Sequence, residues 1–116
     1  MGEGVIDWSK IPKKEGIMEK DGVMIVVGSR NLARVAQAMS NETRARIMEI
    51  LAKRPEGLDA IAEEIGQSKA NVSSQIRKLE EAGIVEPKYQ PGSRGIKKLV
   101  ALKVKAIVFV LDRPEE

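Results

Sequence analysis

The chain has 116 residues, 42% of them hydrophobic and 32% charged, with a formal net charge of +3 at pH 7. That length suits one domain with a modest core, and a single Trp, Tyr and Phe make that core aliphatic. With no Cys and no His, disulfides, the usual zinc ligands and His-dependent acid–base catalysis are excluded.

Residues 1–22 are mixed and polar, punctuated by Gly2, Gly4, Pro12, Gly16 and Gly22, and read as an irregular N-terminal arm. Trp8 and Ile11 are its candidate anchors. Residues 23–116 read as the folded domain. It opens with VMIVV (23–27), β-branched and apolar between Gly22 and Gly28, a short strand. Ser29 can cap a helix over 30–39 whose apolar stripe is Leu32, Val35, Ala36 and Met39. Ser40 or Asn41 caps a second helix reaching about residue 53. Its inner face is Ile47, Met48, Ile50 and Leu51, and its outer face carries Arg44, Arg46 and Glu49.

Asp59 is expected to cap a short helix over 60–65, which Gly66 ends in the left-handed conformation. Ser68 then caps a helix over 69–82 with Val72, Ile76 and Leu79 inward, stopped by Gly83. A hairpin follows, with arms 84–89 and 96–102 and a tip shaped by Pro91, Gly92 and Gly95. Residues 104–111 have high β-propensity and either continue the second arm or form a separate strand. The longest apolar run, 106–111, is far too short to span a bilayer, and no basic segment followed by an apolar stretch opens the chain. The expected location is the cytoplasm, with no membrane partner.

This order predicts an α+β fold, a winged helix-turn-helix with an extra N-terminal strand or arm and a C-terminal strand. Charge concentrates where that fold needs it. Residues 1–66 hold 10 basic and 11 acidic side chains, residues 67–105 hold 9 and 3, and residues 106–116 hold 1 and 3. A basic segment over a helix-turn-helix and hairpin points to double-stranded DNA as partner. The second helix of such a motif enters the major groove, about 12 Å wide, with its N-terminal N–H groups aimed at phosphate. Its outward residues are Lys69, Ala70, Asn71, Ser73, Ser74 and Arg77. Asn71 can pair bidentately with adenine, Lys69 or Arg77 can read guanine, and the serines suit phosphate. On the hairpin, over 88–98, Lys88, Arg94, Lys97 and Lys98 are candidates for backbone or minor-groove contact. The bland alternative for each group is a solvated basic face; their co-location argues for contact.

The run MSNETRARIMEILAKRPEGLDAIAEEIGQSKANVSSQIRKLEEAGIVEPKYQPGSRGIKKLVAL, residues 39–102, resembles the ArsR-like winged-helix transcription regulators. The resemblance implies a homodimeric, sequence-specific DNA-binding protein, usually a repressor. It implies that Ser68, Lys69, Asn71, Ser73, Ser74 and Arg77 lie at major-groove positions and Arg94 at the wing tip. The chain departs from metal-sensing members: it has IAEEIG where they carry a Cys pair, and no His. A metal-sensing role therefore does not carry over. No cofactor and no catalytic residue are expected, and no effector pocket is legible. Many members also close with a dimerising helix, whereas this chain closes with VKAIVFVL.

The first helix and the terminal strand look surplus to one small core. Leu32, Val35, Ala36, Met39, Ile107 and Phe109 are therefore the expected dimer interface, with residues 23–27 and 104–111 forming a sheet either between subunits or within one chain. Two other functions fit the same fold: a non-specific architectural DNA-binding protein, and a winged-helix protein–protein interaction module.

Overall fold

The computed structural model describes residues 6–112. In chain order it forms β1 (Gly16–Lys20), β2 (Val23–Val27), α1 (Ser29–Met39), α2 (Glu42–Lys53), α3 (Leu58–Ile65), α4 (Lys69–Glu81), β3 (Val85–Gly92), β4 (Gly95–Leu102) and β5 (Ala106–Val110). The strands make two sheets, one ordered β1-β2-β5 and the other the β3-β4 hairpin.

The segment expected to be an irregular arm ends in a strand. Residues 1–5 lie outside the described residues, but β1 pairs antiparallel with β2 from Gly16↔Val27 to Lys20↔Val23. The cause is a two-residue turn at Asp21–Gly22, both at positive φ, 54° and 80°. An Asp-Gly pair suits the turn whose twist matches its flanking strands.

β5 is a separate strand, not an extension of β4. It runs parallel to β2, from Val23↔Ala106 to Val27↔Val110, within the same chain. The sheet expected at residues 23–27 and 104–111 thus forms without a second subunit. It spans 106–110, shorter than the expected 104–111: Val104 is buried in the preceding link, and Leu111 is exposed.

Met24, Val26 and Val35 join Ile47, Ile61, Val72, Ile76, Leu79 and Ile84 in one buried cluster. This corrects the expectation that the α1 stripe is surplus. Val35 is fully buried, and Leu32 and Met39 pack against the cluster, leaving Ala36 as the exposed member. Ile107 also packs on the cluster, and Phe109 is 37% exposed.

Local signals place the helices. Asn41 caps α2 by accepting from Arg44 N–H at 3.0 Å. Gly66 ends α3 at φ 78°. Two expected caps are displaced: the cap of α1 is Gly28, one residue before Ser29, and that of α3 is Gly57, two residues before Asp59, which lies inside the first turn.

Arg44 is the larger departure. Expected on an outer face, it is 7% exposed. Its Nε donates to Ala38 O at 2.6 Å, Nη2 to Gln37 O at 3.1 Å and Nη1 to Gln75 Oε1 at 2.6 Å. The guanidinium therefore satisfies carbonyls at the end of α1 and ties them to α4, as a cation at a helix C-terminus should.

Candidate nucleic-acid interface

α4 begins at a well-made cap. Ser68 Oγ accepts from Asn71 N–H at 3.1 Å, which leaves the earlier N–H groups of the first turn facing outward. Val72, Ile76 and Leu79 bury one stripe of the helix. Lys69, Ala70, Asn71, Ser74 and Arg77 are exposed, and Ser73 is half-buried. Lys69 Nζ lies 3.3 Å from Asp59 Oδ1, an exposed pair across the turn between α3 and α4. Such a pair is weak and can open to a competing anion.

Asn71 is held from behind. Its Nδ2 donates to Gln67 Oε1, and Gln67 Nε2 donates to Thr43 Oγ1 at 3.1 Å. The chain Thr43–Gln67–Asn71 fixes one amide hydrogen and leaves Oδ1 and the second hydrogen for another partner. Sequence reading missed Thr43 and Gln67, because a contact 24 residues apart has no local signature.

The hairpin projects from the core. Its register runs from Val85↔Leu102 to Gly92↔Gly95, so Ser93 and Arg94 alone form the tip. It is anchored at its base, where Glu56 and Val100 exchange backbone hydrogen bonds of 3.1 and 2.8 Å. Lys88, Arg94, Lys97 and Lys98 are all exposed.

Alternation divides these cations. Lys98 is paired with Tyr89 and shares a face with Ile96 and the buried Val100; Lys88 and Lys97 lie on the other face. On the first face Tyr89 is 64% and Ile96 78% exposed. Both escaped the sequence reading, which weighed only the charges of the hairpin. Lys98 meets α4: with Leu58, Ser73, Ile76, Arg77, Glu80 and Val100 it lines a cleft of about 200 Å³. Ser73, Arg77 and Lys98 are therefore brought together, whereas Arg94 stands apart at the tip, where it borders a separate groove formed by residues 92–97.

Among the described residues, no three or more His, Cys, Asp or Glu side chains gather where they could hold a metal ion. No helix of these residues is long and apolar enough to cross a membrane.

Residues 39–88 match a family of helix-turn-helix domains. Over 56 residues the chain is 36% identical to an uncharacterized HTH-type transcriptional regulator of Methanocaldococcus jannaschii, which is 48% of this chain and 59% of that protein. The chain thus spans little more than half the length of this curated relative. Among solved structures it is similar to the homodimeric winged helix-turn-helix DNA-binding domain of a possible ArsR-family transcriptional regulator from Mycobacterium bovis. That likeness has 26% identity and a TM-score of 0.54 over 62% of this chain and 63% of the other. The fold is also that of the transcriptional repressor BigR from Xylella fastidiosa, at 20% identity and a TM-score of 0.54 over 63% and 68% of the two chains. Residues 39–88 are therefore similar to a family of helix-turn-helix domains, set in a winged-helix fold like that of the possible ArsR-family regulator from Mycobacterium bovis.

Proposed function

We propose that this chain is a sequence-specific transcription regulator that binds duplex DNA as a homodimer and represses. The observation that carries the reading is the shared cleft: Ser73 and Arg77 of α4 and Lys98 of β4 line one cleft, with Leu58, Ile76, Glu80 and Val100 between them. A duplex laid against α4 then meets the wing as well. In this reading Lys69, Asn71 and Arg77 contact base edges, Ser68, Ser73 and Ser74 contact phosphate, and Lys88, Arg94, Lys97 and Lys98 hold the backbone or enter the minor groove. The 9 basic against 3 acidic side chains of residues 67–105 supply the salt-dependent part of the affinity. A single recognition helix buries too little for tight specific binding, which favours a dimer over two half-sites. The homodimeric state of the similar M. bovis domain supports the same conclusion.

Selection of bound fragments from a genomic DNA pool tests all of this together. The expected product is an inverted repeat with half-sites about 10 base pairs apart, or a multiple of that. Salt-sensitive binding with no enriched sequence would make the chain an architectural protein. No binding even at low salt would make it a protein–protein module. Repression is read separately, from a reporter placed behind the selected site: expression should fall when the chain is present.

A further inference from the structure

The three-stranded sheet has two free edges among the described residues, and they are built differently. β1, at one edge, carries Glu19 and Lys20 among its five residues. Charges on an edge strand oppose pairing with a foreign strand. β5, at the other edge, reads Ala-Ile-Val-Phe-Val and carries none. Phe109 is 37% exposed and the following Leu111 86%. An apolar, uncharged edge of this kind invites pairing unless it is already covered.

Backbone phase decides which groups of β5 are free. Ala106 N–H donates to Gly22 O, on the β2 side. Alternation along a strand then turns the N–H and C=O of Ile107 and Phe109 outward. A twofold axis normal to a sheet sets a strand antiparallel to its own copy, with residues of like parity opposite each other. With the axis at Val108, Ile107 faces Phe109 of the second copy, and these outward groups can exchange both hydrogen bonds. Val108 then faces Val108, and Ala106 faces Val110, in non-hydrogen-bonded pairs. Every residue of β5 is matched with an apolar one. The next pair sets the Lys105 stem over the exposed Leu111. Ile107 and Phe109 share the sheet face of Met24 and Val26, so the joint would extend the buried cluster across the axis.

We propose that β5 pairs antiparallel with β5 of a second copy of this chain about a twofold axis at Val108, joining two three-stranded sheets into one of six. The proposal rests on the homodimer reading above and names the surface that makes it.

The chain has no Cys, so Val108→Cys introduces a single thiol. Residues facing each other in a non-hydrogen-bonded pair have Cβ atoms about 4.5–5.5 Å apart, within a small adjustment of disulfide geometry. Oxidised with diamide, the V108C chain should become a covalent dimer in high yield, and E19C on the opposite edge should not. If the unaltered chain sediments as a dimer but V108C cross-links no better than E19C, the β5 joint is wrong and the homodimer reading survives. A monomer at high concentration in the unaltered chain removes both. Hydrogen exchange on the unaltered chain gives a readout free of substitution. The Ile107 and Phe109 amides should slow as concentration rises; fast exchange at every concentration overturns the proposal.

Discussion

The two sheets of this molecule put the same backbone to opposite uses. In β2 and β5 no residue is charged, and Met24 and Val26 are buried in the main cluster. In the hairpin, residues 87–98 are all exposed and four of them are cationic. One sheet is held by what it removes from water. The other is held at its base, by Val85, Val100 and the Glu56 bridge, and keeps its outer half free to meet a partner. The division lets the hairpin carry charge at little cost to folding, because surface positions away from caps and core contribute little to stability.

The comparison is sharpest when one apolar residue is removed from each sheet. Met24 is 2% exposed in β2, and a Cβ built at Gly83 would lie 3.4 Å from its Cε, so it also touches the turn after α4. Met24→Ala should cost about 2–5 kcal/mol in urea unfolding. Ile96→Ala, at a residue 78% exposed, should stay within about 0.5 kcal/mol. Similar losses from both would mean that the hairpin is packed against something the single chain does not contain.

Arg44→Met tests a link between the two halves. Removing the guanidinium takes a donor from the Ala38 carbonyl and the Gln75 amide, while the Gln37 carbonyl keeps its hydrogen bonds from Ser40 N–H and Oγ. A fully buried unmet group costs about 1–3 kcal/mol and these half-buried ones less, so the unfolding midpoint should fall modestly. A rise would mean that dehydrating the cation costs more than its hydrogen bonds return.

Asn71→Ala is expected to weaken preference at one base pair by about 1–3 kcal/mol while leaving other positions unchanged. Thr43→Val should do the same more mildly, by loosening Gln67 behind Asn71. Equal losses on every sequence would remove Asn71 from base reading. Binding of specific and competitor duplexes at one salt concentration separates the outcomes.

The helix-turn-helix was legible because its signals are local. Apolar residues three and four apart, a Ser68 cap and Gly66 and Gly83 at helix ends are written within a few residues. The three-stranded sheet was only half legible. The Asp21–Gly22 turn was readable, but GIMEK holds only Ile17 and Met18 as apolar residues and so passed for arm. The β2–β5 pairing joins residues more than 80 positions apart and leaves no local mark. Arg44 misled for a related reason. A charged residue on a helix reads as solvent-facing, and only the approach of the α1 end and Gln75 makes burial tolerable. On the candidate interface the residue types were readable, but their division between two faces of the hairpin followed from register alone.

That division supplies the smallest and most discriminating effect. Sequence gives no reason to rank Lys97 and Lys98, adjacent cations on one arm. Register puts Lys98 on the face of Tyr89 and Ile96, bordering the cleft with Ser73 and Arg77, and Lys97 on the face of Lys88. A duplex seated on α4 approaches the first face. Lys98→Ala should therefore lower the dependence of log affinity on log salt by about one unit per subunit, equally on all sequences, as loss of one phosphate contact does. Lys97→Ala and Lys88→Ala should change it by less than half as much, although Lys97 also borders a groove at the start of α3. If Lys97 and Lys98 prove interchangeable, the hairpin acts as a diffuse positive charge. If Lys97 dominates, the duplex runs along the opposite face, and the shared cleft no longer defines where DNA sits.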